Sequence, residues 1–346
     1  NINNMNLSAV FFEVYKKVVF LLPPEKAHEI SLYLAEKIYS SYFKKFLQAK
    51  TINHNKHIMG INFPNTLGLA AGFDKNGDYI NFISNIGFGF IELGTVTPKP
   101  QNGNAKPRVF RLASNEAIIN RLGFNNKGVE YLKNKLLSVE RKIPIGVNIG
   151  KNSSTQIEKA YEDYEFCMEK IFSLADYITL NISSPNTARL RELHSESSLD
   201  FFLNKIKRKH DELVKKNNKH VPLILKISPD VNQIDLESFC KLLINYEIDG
   251  VIATNTTIDK KILNDHVSEN IEGGLSGKPL LNKSNRIISI IKKHVGDKVK
   301  IIGTGGITSK ESALSKHECG ADLLQMYTGL VYKGTNLIKE ITANIR

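Results

Sequence analysis

The sequence predicts an α/β fold: a (β/α)8 TIM barrel with an N-terminal two-helix extension. Three observations lead there. Eight strand-like runs recur along the 346 residues. Patterns with helical spacing lie between most of them, so strand and helix alternate as parallel β/α units do. Almost every run ends in polar or glycine residues, which suits a barrel that places its site at the C-terminal ends of its strands.

Residues 1–46 stand apart. Leu7, Val10, Phe11, Val14, Val18 and Leu21 recur at helical spacing. After Pro23 and Pro24 a second pattern runs through Ala27, Ile30, Leu34, Ile38 and Tyr42, with Leu32, Tyr33, Tyr39, Phe43 and Phe46 beside it. Two short helices joined by a diproline turn are expected. They cannot form a core alone, so the unit packs on the barrel, on a membrane, or on both. Lys16, Lys17, Lys44 and Lys45 flank its apolar surface, as in interfacial helices. Residues 47–346 then form the barrel. HIMGINFPN, from His57 to Asn65, reads as a hairpin closing the barrel floor.

The runs follow in order. They are LGLAAGFD (Leu67 to Asp74), FIELGTVT (Phe90 to Thr97), IGVNIGK (Ile145 to Lys151) and YITLNISS (Tyr177 to Ser184). The second four are LILKISPD (Leu223 to Asp230), GVIATNTT (Gly250 to Thr257), VKIIGTGGI (Val299 to Ile307) and DLLQMYTGL (Asp322 to Leu330). Apolar runs of this length suit strands buried on both faces. The connection from Pro98 to Asn126 is the longest without a clear helical pattern. Such loops in compact domains are usually functional or disordered; this one carries NRLGFNN, which favours function.

Composition narrows the class. The three cysteines are far apart, so neither a disulfide framework nor a metal motif is expected, and a reducing compartment is. The formal charge of +12 comes from scattered lysines. Such a charge suits nucleic acid, an anionic membrane surface or anionic ligands; the scatter favours a solvated surface, and no nucleic-acid partner is expected. No stretch reaches the roughly 18 apolar residues of a spanning helix. Val18 to Leu22 is cut off by Lys16, Lys17 and the two prolines, and a cleavable secretory pattern is lacking.

The strand ends carry the chemistry. In AAGFDK, small residues at Ala70, Ala71 and Gly72 let a flat ligand approach the backbone, and Lys75 adds a cation. GTGGI and MYTG end the last two strands, where barrels often hold a phosphate on backbone N–H groups; a tight turn without ligand is the alternative. GGLSGK, Gly273 to Lys278, adds a third glycine-rich loop. Ser184 in NISSPN is a base, a nucleophile or a helix cap. Asn120, Asn125, Asn148, Asn181, Asn186 and Asn255 all fall at strand ends or in the long loop. Side-chain amides in a cluster suit a planar ring with alternating C=O and N–H groups, such as a pyrimidine or a flavin. Lys226 follows an apolar run. Pointing inward, it needs an anionic partner or must lose its charge; Schiff-base chemistry is the competing use.

Together these motifs resemble the class 2, quinone-dependent, membrane-associated dihydroorotate dehydrogenases. LAAGFDKNG, IELGTVTPKPQNGNAKPRVFRL, IINRLGFNNKG, VNIGKN, NISSPNTARLRELH, LKISPD, TNTT, GGLSGKPL, IIGTGGI and QMYTGLVYKG carry the resemblance in order along nearly the whole chain. PEKAHEI, from Pro24 to Ile30, resembles the class 2 extension; class 1 enzymes lack it and carry cysteine in place of Ser184. The resemblance implies oxidation of (S)-dihydroorotate to orotate in pyrimidine synthesis, with FMN as hydride acceptor and Ser184 as base. FMN would be held by Ala71, Gly72, Lys75, Thr95, Asn148, Asn181, Lys226, Thr254, Gly277, Gly306, Tyr327 and Thr328. Dihydroorotate or orotate would be held by Lys75, Asn120, Arg121, Leu122, Gly123, Phe124, Asn181, Asn186, Asn255 and Thr256. His28 and Arg111 look similar to quinone-tunnel residues. Also implied are a membrane quinone and peripheral attachment to the cytoplasmic face of a bacterial inner membrane, or to a mitochondrial inner membrane. A tRNA dihydrouridine synthase is the rival flavin barrel. It would use the basic charge for RNA and show a cysteine acid where Ser184 stands.

Overall fold

The computed structural model describes residues 7–39, 54–187, 189–263, 268 and 270–345. Its strands are β1 (Lys56–Ile58), β2 (Ile61–Phe63), β3 (Leu67–Leu69), β4 (Phe90–Val96), β5 (Val109–Leu112), β6 (Ala117–Asn120) and β7 (Ile145–Ile149). Then come β8 (Tyr177–Asn181), β9 (Leu223–Ile227), β10 (Gly250–Ala253), β11 (Gly274–Gly277), β12 (Lys300–Thr304) and β13 (Leu323–Met326). All eight expected runs form strands, and they close in parallel into one barrel ordered β3-β4-β7-β8-β9-β10-β12-β13.

The two-residue period of a strand sends alternate side chains inward. The first inward layer is apolar: Phe90, Tyr177, Ile224, Ile252, Ile302 and Leu323 pack together at the N-terminal end. The hairpin of β1 and β2 seats Ile58, Met59, Ile61 and Phe63 against that layer and closes the floor, as expected. The next inward layer is polar, with Glu92, Asn148, Thr179, Lys226 and Gln325 all buried. The outward residues, such as Leu93, Val147, Leu180, Leu225, Val251 and Ile301, join the core under the surrounding helices.

The connection from Pro98 to Asn126 is more ordered than its lack of helical pattern suggests. VFRL and AIIN form β5 and β6, and β11 joins them in a three-stranded antiparallel sheet. Most of GGLSGK is therefore a strand and not a third glycine-rich loop. A short apolar run flanked by polar loops carries little periodicity, so the pairing across about 150 residues decided it.

Helix α1 (Leu7–Val19) and helix α2 (Pro24–Tyr39) confirm the two-helix reading, with Pro24 at the first position of α2. Tyr42, Phe43, Lys44, Lys45, Phe46 and the 46/47 boundary lie outside the described residues. Helix α2 docks on the barrel. Ala27 and Leu32 are buried, Glu25 pairs with the buried Arg108 at 2.6 Å, and Glu36 accepts the Phe82 N–H at 3.1 Å. The opposite surface stays open: Val14, Val18, Leu21, Ile30, Tyr33, Leu34 and Ile38 are all exposed, Leu21 to 85%. Among the described residues no helix is long and apolar enough to cross a membrane.

Glycine at two inward positions makes room for the floor. A Cβ on Gly68 would stand 2.4 Å from the Phe90 ring, and one on Gly146 2.0 Å from the Tyr177 ring. Gly146→Ala must displace a ring that also donates to Glu92. Overpacking of this kind costs about 1–3 kcal/mol. A denaturant titration of G146A is expected to show a lower midpoint with an unchanged slope.

Candidate active site

Each inward polar side chain of the second layer finds its partner across the barrel. The Glu92 carboxylate accepts from Asn148 Nδ2 at 2.7 Å on one oxygen. The other accepts from Gln325 Nε2 at 2.7 Å, the Tyr177 hydroxyl at 3.1 Å and the Thr179 hydroxyl at 3.3 Å. Above it Thr95 Oγ1 and Asn181 Nδ2 donate to Asn148 Oδ1 at 2.5 and 3.1 Å. The Asn181 oxygen accepts from the Ser183 hydroxyl at 3.0 Å, and Asn255 Nδ2 donates to the Ser183 oxygen at 2.9 Å. Asn148, Asn181, Thr95 and Asn255 thus form one connected row at the barrel mouth. Lys226 enters beside it from β9, next to Asn181 in register. It is buried and, among the described residues, its ammonium donates to no protein group. Burial pushes its pKa down, and the charge of Glu92 acts in the opposite direction.

The loop after β8 brings Ser184 to the same mouth. Its Oγ accepts the Asn186 N–H at 3.2 Å, and the residue is 5% exposed. His194 is not its partner. That ring meets the Ile182 carbonyl at 3.1 Å, and burial, then Arg191, lowers its pKa to about 4. The NRLGFNN loop lies opposite: Asn186 Nδ2 donates to the Asn120 carbonyl at 3.1 Å. Gly123 and Phe124 turn through positive φ, 69° and 53°. Phe124 and Thr95 both stand against Gly150, and the Leu122 and Gly123 carbonyls accept from Asn104 and Gln101. The Arg121 guanidinium bonds Glu272 at 3.0 Å and the Pro107 carbonyl.

Lys75 donates to the Gly72 carbonyl at 2.9 Å, with Gly72 at φ 98°. Burial lowers its pKa to about 8, against the raising influence of Glu25 and Asp74. Thr254 is buried at the end of β10, and the next residues, Asn255 and Thr256, are half-buried. Gly277, Thr328 and Ser276 meet where β11 crosses the mouth, with 2.9 Å between the two hydroxyl oxygens. Gly306 is a packing glycine as well as a turn: a Cβ there would stand 2.4 Å from the Leu281 backbone. Ala71 and Tyr327 are half-buried beside Gly72 and Phe73.

His28 and Arg111 sit on the side facing the N-terminal helices. His28 Nε2 meets the Phe73 carbonyl at 2.8 Å, which makes that nitrogen the donor. His28, Phe73 and Tyr327 form a chain of edge contacts at 4.9 and 5.4 Å from α2 to the barrel mouth. Arg111 donates to the Phe20 and Leu22 carbonyls at the end of α1 and lies over the Phe20 ring at 4.4 Å.

The dihydroorotate dehydrogenase family profile matches residues 54–346. The chain belongs to the dihydroorotate dehydrogenase family. It is 50% identical over 337 residues to a dihydroorotate dehydrogenase (quinone) of Buchnera aphidicola subsp. Schizaphis graminum, covering 97% of this chain and 100% of that relative. A relative of the same name from Aliivibrio salmonicida is 45% identical over 336 residues, with 97% and 100% covered. The crystal structure of DHODH from Eimeria tenella in complex with ferulenol superposes with a TM-score of 0.85 at 34% identity, over 94% of this chain and 93% of that one.

Sequence reasoning missed part of this dehydrogenase site. Glu92 lies inside an apolar run, the same signal that marks Lys226. Arg191 ties three mouth loops by donating to the Ser183 carbonyl, the Thr256 carbonyl and Asp230. Asp230 also pairs with Lys283 at 2.7 Å. Nothing local in the sequence joins these positions. Among the described residues no cluster suits a metal ion.

Lys75 generates a pH prediction. Its positive charge falls away as pH rises past about 8, which removes attraction for a carboxylate. Orotate titrated into the protein is expected to bind more weakly above that pH. Lys75→Met is expected to bind weakly throughout and to lack the step.

Proposed function

We propose that this chain oxidises (S)-dihydroorotate to orotate in de novo pyrimidine synthesis, with FMN as hydride acceptor and a membrane quinone as final acceptor. One observation carries the reading. In a chain of this family, a buried serine, a half-buried lysine and a connected row of amides converge at the C-terminal mouth of the barrel. A flavin suits the residues present. Lys226 offers a buried ammonium with no protein acceptor among the described residues, beside the amide row of Asn148 and Asn181. A ring with carbonyl and N–H edges satisfies both. Gly72, Ala71, Thr95, Asn148, Asn181, Lys226, Thr254, Gly277, Gly306, Tyr327, Thr328 and Lys75 would hold it.

FMN, when bound, accepts the hydride that leaves C6 of dihydroorotate and passes its electrons to quinone. The protein moves the proton. Ser184 Oγ would take it from C5, so that the C5–C6 double bond forms as both hydrogens leave. The Asn186 N–H at 3.2 Å supports negative charge on that oxygen. No histidine or carboxylate is bonded to Ser184 among the described residues, so the site would have to carry its proton away by another route. Lys75 would meet the substrate carboxylate. Asn120, Asn181, Asn186, Asn255 and Thr256 would orient the ring through amide and hydroxyl groups, and the Leu122–Phe124 backbone and the Phe124 ring would close over it. Ser184 in place of a cysteine and an apolar helical appendage both speak against the rival tRNA dihydrouridine synthase.

The quinone would enter past α1 and α2, near His28, Arg111 and Tyr327. Seven exposed hydrophobic residues on and between these two helices favour attachment to a membrane surface, and Arg111 holds the two helices at their junction. Membranes of the bacterial inner type, on the cytoplasmic face, fit the bacterial relatives.

Two experiments test this. Anaerobic addition of dihydroorotate to the yellow protein is expected to bleach the flavin absorbance. Ser184→Ala should retain FMN and bleach slower by about 10²-fold or more. A near-normal rate would remove Ser184 from the role. In the second, Leu21→Ser with Leu34→Ser, both at exposed positions, should reduce liposome binding and turnover with a long-tailed quinone. Bleaching by dihydroorotate should be unchanged. Equal turnover with membrane quinone would separate the helices from that step.

A further inference from the structure

Glu92 belongs to the barrel interior and touches none of the loops assigned to substrate. It is 1% exposed, with four side-chain donors on its two oxygens. Lys226 is the cation whose charge reaches it. We propose that Glu92 is a positioning residue: an acceptor-only carboxylate beneath the site that fixes the donor direction of the amide row.

The direction follows bond by bond. A carboxylate only accepts, so Asn148 must present its NH2 downward, at 2.7 Å. Its oxygen then faces up and takes the Thr95 hydroxyl and the Asn181 NH2. That orientation turns the Asn181 oxygen toward Ser183, whose hydroxyl donates to it. The Ser183 oxygen is left to accept from Asn255. One charge at the bottom therefore decides which polar atoms face the ring at the top, including the residue next to Ser184. An amide pair without such an anchor can flip at little cost.

Glu92→Gln tests the direction. Three donors share one Glu92 oxygen and one takes the other. In the variant, the new amide oxygen would settle among the three, and the new NH2 would face the NH2 of Asn148. Asn148 must flip, and Asn181 after it. Adding Asn148→Asp reverses this: the carboxylate so introduced accepts from the new amide below and from Thr95 and Asn181 above.

The inference rests on the proposal that this site binds FMN and orotate. Full-length protein would be stripped of FMN and reconstituted. FMN affinity is read from flavin fluorescence, orotate affinity from the flavin spectrum, and folding from thermal unfolding of the FMN-free protein. In Glu92→Gln, the FMN and orotate dissociation constants should each rise at least about tenfold, the scale of one unsatisfied buried donor. The double variant E92Q/N148D should recover most of the orotate affinity. A residue that only fills the core predicts a lower unfolding temperature and no such rescue. Folded E92Q that binds orotate within about twofold of wild type, well under one hydrogen bond's worth, overturns the inference. So does a double variant no tighter than E92Q. If E92Q does not fold, the comparison becomes E92Q/N148D against N148D, in which two carboxylates face each other. The double variant should bind orotate more tightly, and equal binding, or a double variant that fails to fold, overturns the inference. Wild-type protein that binds neither ligand would instead defeat the functional reading itself.

Discussion

A buried carboxylate and a buried ammonium stand inside the upper half of this barrel, above a floor of aromatic and aliphatic side chains. Taking both out of water is costly unless each is met by charge or hydrogen bonds. Glu92 is met by four donors, while Lys226, among the described residues, has only the charge of Glu92 and donates to no protein group. The surrounding amides, hydroxyls and glycines are arranged around that imbalance. An apolar residue in place of Lys226 would remove the one buried side-chain cation of this polar layer.

The floor and the mouth divide the work. Phe90 and Tyr177 fill the space left by Gly68 and Gly146, and the hairpin of β1 and β2 seals them from below. The Tyr177 hydroxyl reaches up to Glu92, so the packed floor also supports the polar layer. At the mouth, Arg191 and Asp230 bind the loops after β8, β9 and β10 to one another. The N-terminal helices are attached at separate points: Glu25 to Arg108, His28 to the Phe73 carbonyl, Arg111 to the end of α1. These contacts leave the outer apolar surface of both helices uncovered.

Much of this was legible in the sequence. A strand buried on both faces must be apolar throughout, so the eight barrel strands announced themselves, and the polar residues that ended them marked the mouth. Asn148, Asn181, Asn186, Asn255, Lys226 and Ser184 lie in or just after those runs, and the structure places all six at one mouth of the barrel. Other features were not legible. The strand Gly274–Gly277 was read as a loop, because a short glycine-rich segment has no periodicity of its own. Arg121 was grouped with its neighbours in the NRLGFNN loop, and nothing local in the sequence joins it to Glu272.

The sequence by itself determined the order of the eight barrel strands, the floor hairpin, the two N-terminal helices and the residue types available for chemistry. Those depend on local periodicity and on turn residues, which act over a few positions. Only the tertiary structure decided that Glu92 lies under Asn148, that Arg191 reaches three loops, and that His28 reaches Tyr327 through Phe73. Each of these joins residues tens to hundreds of positions apart. Closure of the barrel sets such distances, and hydrogen-bond direction between amides exists only once the partners have met.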